Sequence, residues 1–488
     1  MSAGGQNLLR SLGRELDGAA PGERRIRVAA ADLAAASERV AAEGGRFLTL
    51  AVAGRPPGLL VAFQLRGEIV ELTAPLPPQT GYPAVSARLE AASWSEREAR
   101  DLHDLRPLGL PDARPLVSPD ADRIARQVSG QDAFVIPYGP VRSGVFEAIQ
   151  FVIETGGEDI LRLAVRTGFK HRGLERRMVG LTPDEGVLVA ERIAGISGVA
   201  HAIAYCQALE RIADVEVSAA ARCWRVVHAE LERIANHLHS AAQLAETTAL
   251  SVGAARFSML KEEILRLRAE LCGSRFGRGV VVPGGVSAES TSHGKLIAPA
   301  IDRFESDLRR DRRLLLGTAS FIDRLVGTGR LGRREAEQFA VVGPVARGSG
   351  VSTDARYERP YAEYPRLGWE LPVRVTGDAM ARLEVRMVEI VQSVHLIRQA
   401  LEALHLEVAD PPVVPAFQTV SAWGWAEAAQ GELLYRLTVA EGRLADVHVC
   451  SPDMRNWHAF AHCFPRDVLT DFGFVEHSFQ LSPAGVDR

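Results

Sequence analysis

The residues best suited to chemistry lie at helical spacing in the second half of the chain. Glu230, Arg233 and His237 are three and four residues apart, so they share one face of a helix predicted over 218–247. A Glu–Arg pair with a His one turn away is typical of a buried ion pair with a structural His. It is equally typical of a redox-linked proton site, because His titrates near neutral pH. The spacing alone favours neither interpretation.

A second polar stripe is predicted on a helix over 378–406. Its members are Asp378, Arg382, Arg386, Glu389 and Ser393. Such a stripe faces solvent in most helices, and a face that contacts a partner subunit has the same spacing. The loop predicted over 343–350 is rich in small residues, so its backbone could closely approach a ligand or another chain. Because no Lys-Ser/Thr follows it, this loop is not a P-loop.

Two further polar groups admit both a functional and a structural interpretation. Lys170, His171, Arg172 and Glu175 surround a glycine, and they could face a buried redox centre or simply complete a loop. The segment 94–101 is dense in carboxylates that suit a helix N-terminus, which predicts either a solvated capping segment or an edge that docks a partner.

Composition excludes several classes of protein. The chain has 488 residues and a formal net charge of −4, which argues against a general nucleic-acid binder. No apolar run reaches 18 residues and no secretory signal is evident, so neither a membrane span nor export is predicted. No GxGxxG follows a strand, which excludes a Rossmann site. The cysteines are Cys206, Cys223, Cys272, Cys450 and Cys463. No two are three residues apart, so we expect free cytoplasmic thiols and no CxxC metal or redox motif.

The elements that must position these residues indicate an α+β protein. We predict a small α+β domain over 1–104, a Pro-rich linker over 105–136, and a larger, mainly helical domain with small sheets over 137–488. Strands are expected at 25–29, 47–53, 59–65, 68–72, 144–153 and 160–165, with a hairpin turn at Arg66–Gly67. Helices are expected at 30–43, 84–92, 184–212, 218–247, 254–272, 295–326 and 378–406, followed by a hairpin and irregular tail over 431–488.

These motifs resemble one known family along nearly the whole chain. Residues 94–101 resemble the W-x-E-R-E-x-x-D signature of the C subunit of NADH:quinone oxidoreductase, complex I. Residues 137–488 resemble its D subunit and the large subunit of energy-converting nickel–iron hydrogenases, including the formate hydrogenlyase type. The matching segments are 139–140, 168–175, 191–193, 201–210, 230–237, 283–286, 343–350, 354–356, 360–361, 377–378 and 381–386. The resemblance implies a hydrogenase large-subunit-like fold.

The departures from that family bear on metal binding. The hydrogenases hold nickel and iron with two CxxC pairs, in E-R-I-C-G-I-C and near the C-terminus. The four ligand positions here are Ala194, Ser197, Ser482 and Gly485. Because nickel requires soft thiolates in that site, the resemblance implies no metal site and no active hydrogenase.

The quinone pocket of the family is altered as well. Arg142 and Phe146 replace two histidines of a family loop, and Gly195 aligns with the tyrosine that binds the quinone headgroup. Gln430 replaces an arginine of the family motif E-A-P-R-G. We therefore expect Arg142, Gly195 and His201 to line the remodelled acceptor site, in which a quinone is one candidate.

The surviving matches imply a subunit of a redox complex with NAD- and quinone-linked chemistry. Arg172 matches the arginine beside the terminal [4Fe–4S] cluster of a partner. His237 matches the histidine whose protonation follows the redox state of that cluster. Glu175 matches the acidic residue near the former nickel site. The implied partners are an iron–sulfur small subunit like the B subunit of complex I and membrane-embedded, antiporter-like subunits. The implied place is the cytoplasmic face of the inner membrane, with no cofactor bound directly. The alternatives are a nickel–iron hydrogenase, disfavoured by the missing cysteines, and a non-catalytic scaffold.

Overall fold

The computed structural model describes residues 3–54, 57–76, 80–117, 133–142, 147–288, 294–404, 420–465 and 467–488. It confirms the predicted α+β class, with a small N-terminal unit followed by a helical unit that carries small sheets. The domain boundaries at 104 and 136 stay a prediction. In the described ranges, no helix has both the length and the apolar character needed to cross a membrane.

The N-terminal unit is built on a five-stranded sheet. Its strands are β1 (Arg14–Leu16), β2 (Glu23–Arg27), β3 (Arg46–Ala53), β4 (Gly58–Leu65) and β5 (Glu68–Pro75), in the spatial order β1-β2-β5-β4-β3. Helices α1 (Ala3–Leu12) and α2 (Leu33–Ala42) accompany them. Arg66 and Gly67 both have positive φ, as a two-residue hairpin turn requires, which confirms the predicted hairpin. One sheet face belongs to a local core, whereas Leu48, Leu60 and Ile69 join the core of the helical unit.

The segment after this sheet is more buried than the sequence predicted. The helix expected over 84–92 is two short 3-10 turns, Val85–Ala87 and Glu90–Ala92, because the Glu96 carboxylate accepts the backbone N–H groups of Val85 and Ser86. Helix α3 (Ser93–His103) follows, between the paired strands β6 (Gly81–Pro83) and β7 (Arg106–Leu108). Glu96, Arg97 and Glu98 are buried within the chain. The segment is therefore neither a solvated cap nor a free docking edge.

The helical unit begins with an antiparallel sheet of β8 (Phe134–Tyr138), β9 (Gln150–Thr155) and β10 (Ile160–Arg166). The predicted strand start at 144–146 lies outside the described residues. The helices are α4 (Leu174–Met178), α5 (Pro183–Ala190), α6 (Gly198–Ala213), α7 (Ala219–Thr247), α8 (Ser251–Cys272), α9 (Ile297–Leu316), α10 (Ala319–Leu325), α11 (Arg333–Gln338), α12 (Gly343–Gly348), α13 (Ala355–Glu358) and α14 (Ala379–Leu404), with the short pair β11 (Val281–Val282) and β12 (Gly285–Val286). The helix predicted over 184–212 is split at 191–197, and the one over 295–326 at Gly317–Thr318.

The C-terminal part adds a three-stranded antiparallel sheet. It consists of β13 (Val420–Ala428), β14 (Gly431–Ala440) and β15 (Arg443–Cys450), followed by α15 (Pro452–Phe460) and α16 (Phe472–Phe479). The predicted hairpin is β14–β15, and β13 was not predicted. A Cβ on Gly424 would lie 2.0 Å from the carbonyl oxygen of Ala204. The glycine therefore allows β13 to lie directly against α6.

Candidate functional site

The two predicted polar stripes face each other inside the chain. Helices α7 and α14 pack side by side, with the Ser393 hydroxyl donating to Glu230 at 2.6 Å and the His237 ring 2.7 Å from the Glu389 carboxylate. The stripe on α14 therefore faces neither solvent nor a partner subunit. Charged residues can occupy this interior because Glu230 and Glu389 have buried arginine partners, while Arg382 and Arg386 donate to carbonyl oxygens.

Helix α12 supplies the central cation of this region. Arg347 contacts Glu389 at 2.6 Å, Glu427 at 3.0 Å and Asp354 at 3.1 Å, and it is fully buried. We call the group around it the charge cluster. Its members are Glu230, Arg233, His237, Arg347, Asp354, Arg356, Arg386, Glu389 and Glu427.

The predicted loop over 343–350 is thus a buried helix rather than a ligand-binding loop. Gly343 has a φ of 67°, and a Cβ there would lie 2.1 Å from the carbonyl oxygen of Gln430. The small residues serve a close approach to the turn between β13 and β14. They place the Arg347 side chain between α14 and that turn.

Burial and charge shift the acids of the cluster in opposite directions. Burial acts to raise the pKa of Glu389, but Arg347 and a hydrogen bond from His237 hold that pKa well below its usual range. Burial and the neighbouring Asp354 raise the pKa of Glu427 to about 7, against the opposing effect of Arg347. The cluster therefore holds both a permanently ionised acid and one that titrates near neutral pH.

His237 is clamped in its neutral form. The partners of its two ring nitrogens differ, since Nε2 lies 2.7 Å from Glu389 and Nδ1 accepts from the Arg386 guanidinium at 3.2 Å. Burial, with a smaller effect of the Arg386 charge, lowers the pKa of His237 to about 4, against the opposing effect of Glu389. A proton on Nδ1 would face a donor of Arg386, which also donates to the carbonyls of Ser478 and Phe479. Arg386 therefore joins His237 to the C-terminal segment.

The four family ligand positions meet at a different place, which we call the ligand-position region: loop 191–197 with segment 480–488. Arg172 joins its two halves, since one guanidinium nitrogen donates to Ile193 O at 2.7 Å and to Ala484 O at 3.0 Å. Ala194 and Gly485 offer no ligand atom, and serine hydroxyls are poor ligands for nickel. In the parts of the chain that are described, no group of three or more His, Cys, Asp and Glu side chains could hold a metal ion. The residues present do not fit a nickel–iron centre.

A buried acid occupies the space beside Gly485. A Cβ on Gly485 would lie 2.1 Å from a carboxylate oxygen of Asp453 and 2.8 Å from the Ser451 hydroxyl. The other oxygen of Asp453 accepts the N–H of Ser482 at 2.8 Å, and burial raises the pKa of Asp453 to about 7. The Ser482 hydroxyl donates to Glu147 at 2.5 Å. Asp453 was missed by sequence reasoning, because a lone Asp about thirty residues away carries no signal of this contact.

Glu175 binds the side chain of Arg488. The Glu175 carboxylate accepts from Arg488 Nε at 2.9 Å and from the N–H of Val449 at 2.7 Å, while another Arg488 nitrogen donates to Glu98 at 2.8 Å. Burial acts to raise the pKa of Glu175, but Arg488 and His448 hold that pKa well below its usual range. Arg172, Glu175 and Glu98 line a cavity of about 740 Å³ between the N-terminal unit and α4. The structure thus brings Arg172 and Glu175 together, and it places His237 in the charge cluster instead.

None of the three residues expected at the acceptor site lines that cavity. His201 is buried, its Nδ1 lies 2.8 Å from the Tyr435 hydroxyl, and burial lowers its pKa to about 3. Arg142 pairs with Glu476 at 2.7 Å. Gly195 is exposed on its loop, and a Cβ there would meet no atom of the described chain within 4 Å. Phe146 lies outside the described residues.

Comparisons with known proteins give consistent relatives. A family model described as the 49-kDa subunit of respiratory-chain NADH dehydrogenase matches residues 249–420. The chain is 30% identical to the carbon monoxide-induced hydrogenase of Rhodospirillum rubrum, over 71% of this chain and 96% of the relative. It is 28% identical to a D-type subunit of the NADH-quinone oxidoreductase of Solibacter usitatus, over 72% of this chain and 97% of the relative. It is 29% identical to formate hydrogenlyase subunit 5 of Escherichia coli, over 83% of this chain and 77% of the relative.

A solved structure has the same fold. A chain of the membrane-bound sulfane sulfur reductase, an archaeal respiratory membrane complex, superposes with a TM-score of 0.67. The match covers 73% of this chain and 99% of that chain at 23% sequence identity. At that identity the likeness concerns the fold alone.

Proposed function

The chain belongs to the family of the 49-kDa (D) subunit of respiratory NADH dehydrogenase and the related hydrogenase large subunits, and from that premise we propose that it is a peripheral-arm subunit of a membrane-bound respiratory oxidoreductase complex. In this role it binds an iron–sulfur small subunit and rests on membrane-embedded, antiporter-like subunits at the cytoplasmic face. It carries no metal of its own. Electrons pass from a [4Fe–4S] cluster of the partner to a quinone-like acceptor, and this transfer is coupled to ion translocation.

The observation that carries the proposal is the clamp on His237. Because burial and Arg386 hold its pKa at about 4, protonation at pH 7 costs about 4 kcal/mol at 1.36 kcal/mol per pKa unit. A negative charge added near His237 by reduction of a cluster in the partner would offset part of that cost. Reduction of such a cluster would therefore favour the protonated form of His237.

The charge change has a path toward the rest of the protein. Arg386 contacts His237 on one side and the carbonyls of Ser478 and Phe479 on the other. When His237 gains a proton on Nδ1, that face of Arg386 is repelled, and its hold on segment 478–480 changes. In our proposal this movement is the first protein response to cluster reduction, and Arg172 and Glu175 line the cavity into which the partner docks.

One observation favours a second candidate, a non-catalytic scaffold. Asp453 fills the space beside Gly485, and Arg142 is closed against Glu476, so part of the former active site is occupied by the chain itself. A scaffold would retain the ion pairs of the cluster for stability alone. The open surroundings of Gly195 favour the redox role instead.

The test is quinone-analogue reduction by the purified complex with its clusters intact. We expect His237→Gln to lower the turnover at least tenfold and to shift the cluster potential. His239→Gln is the matched control, because His239 lies on the same helix outside the charge cluster. Absence of turnover in the wild-type complex, together with an unchanged cluster potential in His237→Gln, would leave only the scaffold. Stoichiometric nickel in the purified complex would instead support the alternative of a nickel–iron hydrogenase.

A further inference from the structure

A groove of about 420 Å³ lies between α9 and α14, and none of its lining residues belongs to the charge cluster or to the ligand-position region. Its apolar lining consists of Leu308 and Leu316 of α9 with Val391 of α14. Leu308 is buried, whereas Leu316 and Val391 are only half-buried. The described part of the chain therefore leaves apolar surface open in this groove.

The other lining residues make the groove basic. Arg309, Arg312 and Arg313 line it, together with a single acid, Glu305. Arg309 pairs with Glu305 at 3.3 Å, but within the described ranges neither Arg312 nor Arg313 forms an ion pair or a side-chain hydrogen bond. Arg312 is also half-buried, so its guanidinium loses hydration without gaining a partner. A carboxylate that entered the groove would supply that partner.

The charge of the groove changes along its length. Glu305 lies at one end, where its carboxylate is neutralised by Arg398 at 2.8 Å as well as by Arg309. Arg312 and Arg313 follow seven and eight residues later, which is about 11 Å along the helix axis. An occupant that lies along the groove therefore meets two free cations at one end only. This asymmetry requires acids at a defined place in the occupant.

The spacing within α9 identifies the kind of occupant that fits. Leu308, Arg312 and Leu316 follow one another at four-residue intervals, so an apolar, a cationic and an apolar side chain stand in one row. A phospholipid tail needs a continuous apolar channel, and the Arg312 guanidinium interrupts this one. A helix with an acid between two apolar residues at the same spacing matches the row in both shape and charge.

We propose that this groove docks an acidic amphipathic helix of another subunit of the complex, an inference that rests on the proposed function because that function supplies the complex. Carboxylates of the helix bind Arg312 and Arg313, and its apolar side chains cover Leu316 and Val391. Guanidinium–carboxylate pairs fix the register of the helix. The apolar contacts add the affinity that exposed ion pairs alone do not supply.

The test is photo-crosslinking in the purified complex, with benzoylphenylalanine in place of Val391 and the crosslinked peptide identified by mass spectrometry. We expect a crosslink to a segment of another subunit that carries at least two acids at helical spacing. Val326 is the control position, because it is exposed outside the groove. Benzoylphenylalanine at position 326 should give no crosslink to that segment.

Charge reversal gives a second measurement on the same crosslink. Arg312→Glu combined with Arg313→Glu should lower the crosslink yield about tenfold, because the acids of the helix then meet like charges. Lysines in place of those acids should restore the yield. Arg303→Glu is the matched control, since Arg303 is exposed on the same helix and does not line the groove. It should leave the yield unchanged.

Several results would overturn the proposal. They are the absence of a crosslink from position 391, a crosslink to lipid, to a second copy or to this chain itself, and a crosslink to a segment without acids. An equal yield in the double reversal and in Arg303→Glu would also overturn it. Failure of the proposed function appears separately, as absent quinone-analogue reduction and an unchanged cluster potential, while the crosslink still reports whether an acidic helix occupies the groove.

Discussion

The charge cluster and the ligand-position region are built on opposite principles, although they adjoin along α7. In the cluster, every carboxylate meets at least one buried arginine, with Arg347 alone contacting three acids. In the ligand-position region, small residues stand at the four positions, and the two halves are joined by a half-buried Arg172 that donates to carbonyls. The contrast is between a region of paired, buried charges and a region whose four positions offer no thiolate ligand.

The largest effect is expected from breaking the cluster. Arg347→Met leaves Glu389, Glu427 and Asp354 without their shared cation, so we expect the free energy of unfolding to fall by about 3–5 kcal/mol. The matched control is Arg333→Met, which removes an exposed pair with Glu337 and should cost about 0–1 kcal/mol. Denaturant unfolding measures both. Equal losses in the two variants would mean that the cluster contributes no more than a surface pair.

The buried acid beside Gly485, Asp453, makes stability depend on pH. The pKa of Asp453 is about 7 in the folded chain and near its ordinary 3.8 when unfolded, so the folded state binds the extra proton between these values. Stability from this group is present below about pH 4 and is lost as pH rises to about 7. Asp453→Asn removes the effect, so its stability relative to the wild type should improve by up to about 4 kcal/mol over that range. If the free energies of unfolding of Asp453→Asn and the wild type differ by the same amount from pH 4 to 8, the prediction is wrong.

A side chain at position 485 tests whether the former ligand space is filled. Gly485→Cys places a Cβ against Asp453 and should cost about 1–3 kcal/mol, because the buried carboxylate must move. Gly195→Cys is the control within the same region, since its Cβ meets open space. Adding Asp453→Ala to Gly485→Cys should recover part of the loss. A double-mutant cycle with no coupling between 453 and 485 would show that the two positions do not compete.

The smallest effect is expected from the bridge between the two halves. Arg172→Met removes hydrogen bonds to Ile193 O and Ala484 O, so amide exchange in 193–197 and 484–488 should rise about tenfold, which equals about 1.4 kcal/mol of local opening. Arg176→Met is the control, because Arg176 is exposed on α4, which begins two residues after Arg172. If exchange rises equally in both variants, Arg172 does not hold the region together.

The sequence predicted those parts that depend on local patterns. The 3.6-residue period located α7 and α14, and Arg66–Gly67 located the β4–β5 turn. The facing of the two stripes was not predictable, because Glu230 and Ser393 are about 160 residues apart and periodicity says nothing about partners. The contact between positions 485 and 453 was not predictable for the same reason. The α7 stripe could be assigned to neither core nor function, since a buried ion pair and a proton site share one spacing.

The central claim is that protonation of His237 is linked to reduction of a partner's cluster. The most direct test is the midpoint potential of that cluster in the purified complex between pH 6 and 8. The wild type should show a midpoint potential that falls as pH rises, by at most about 59 mV per pH unit, the value for one proton per electron. His237→Gln should flatten the slope while the cluster remains intact. An unchanged slope in that variant would contradict the claim.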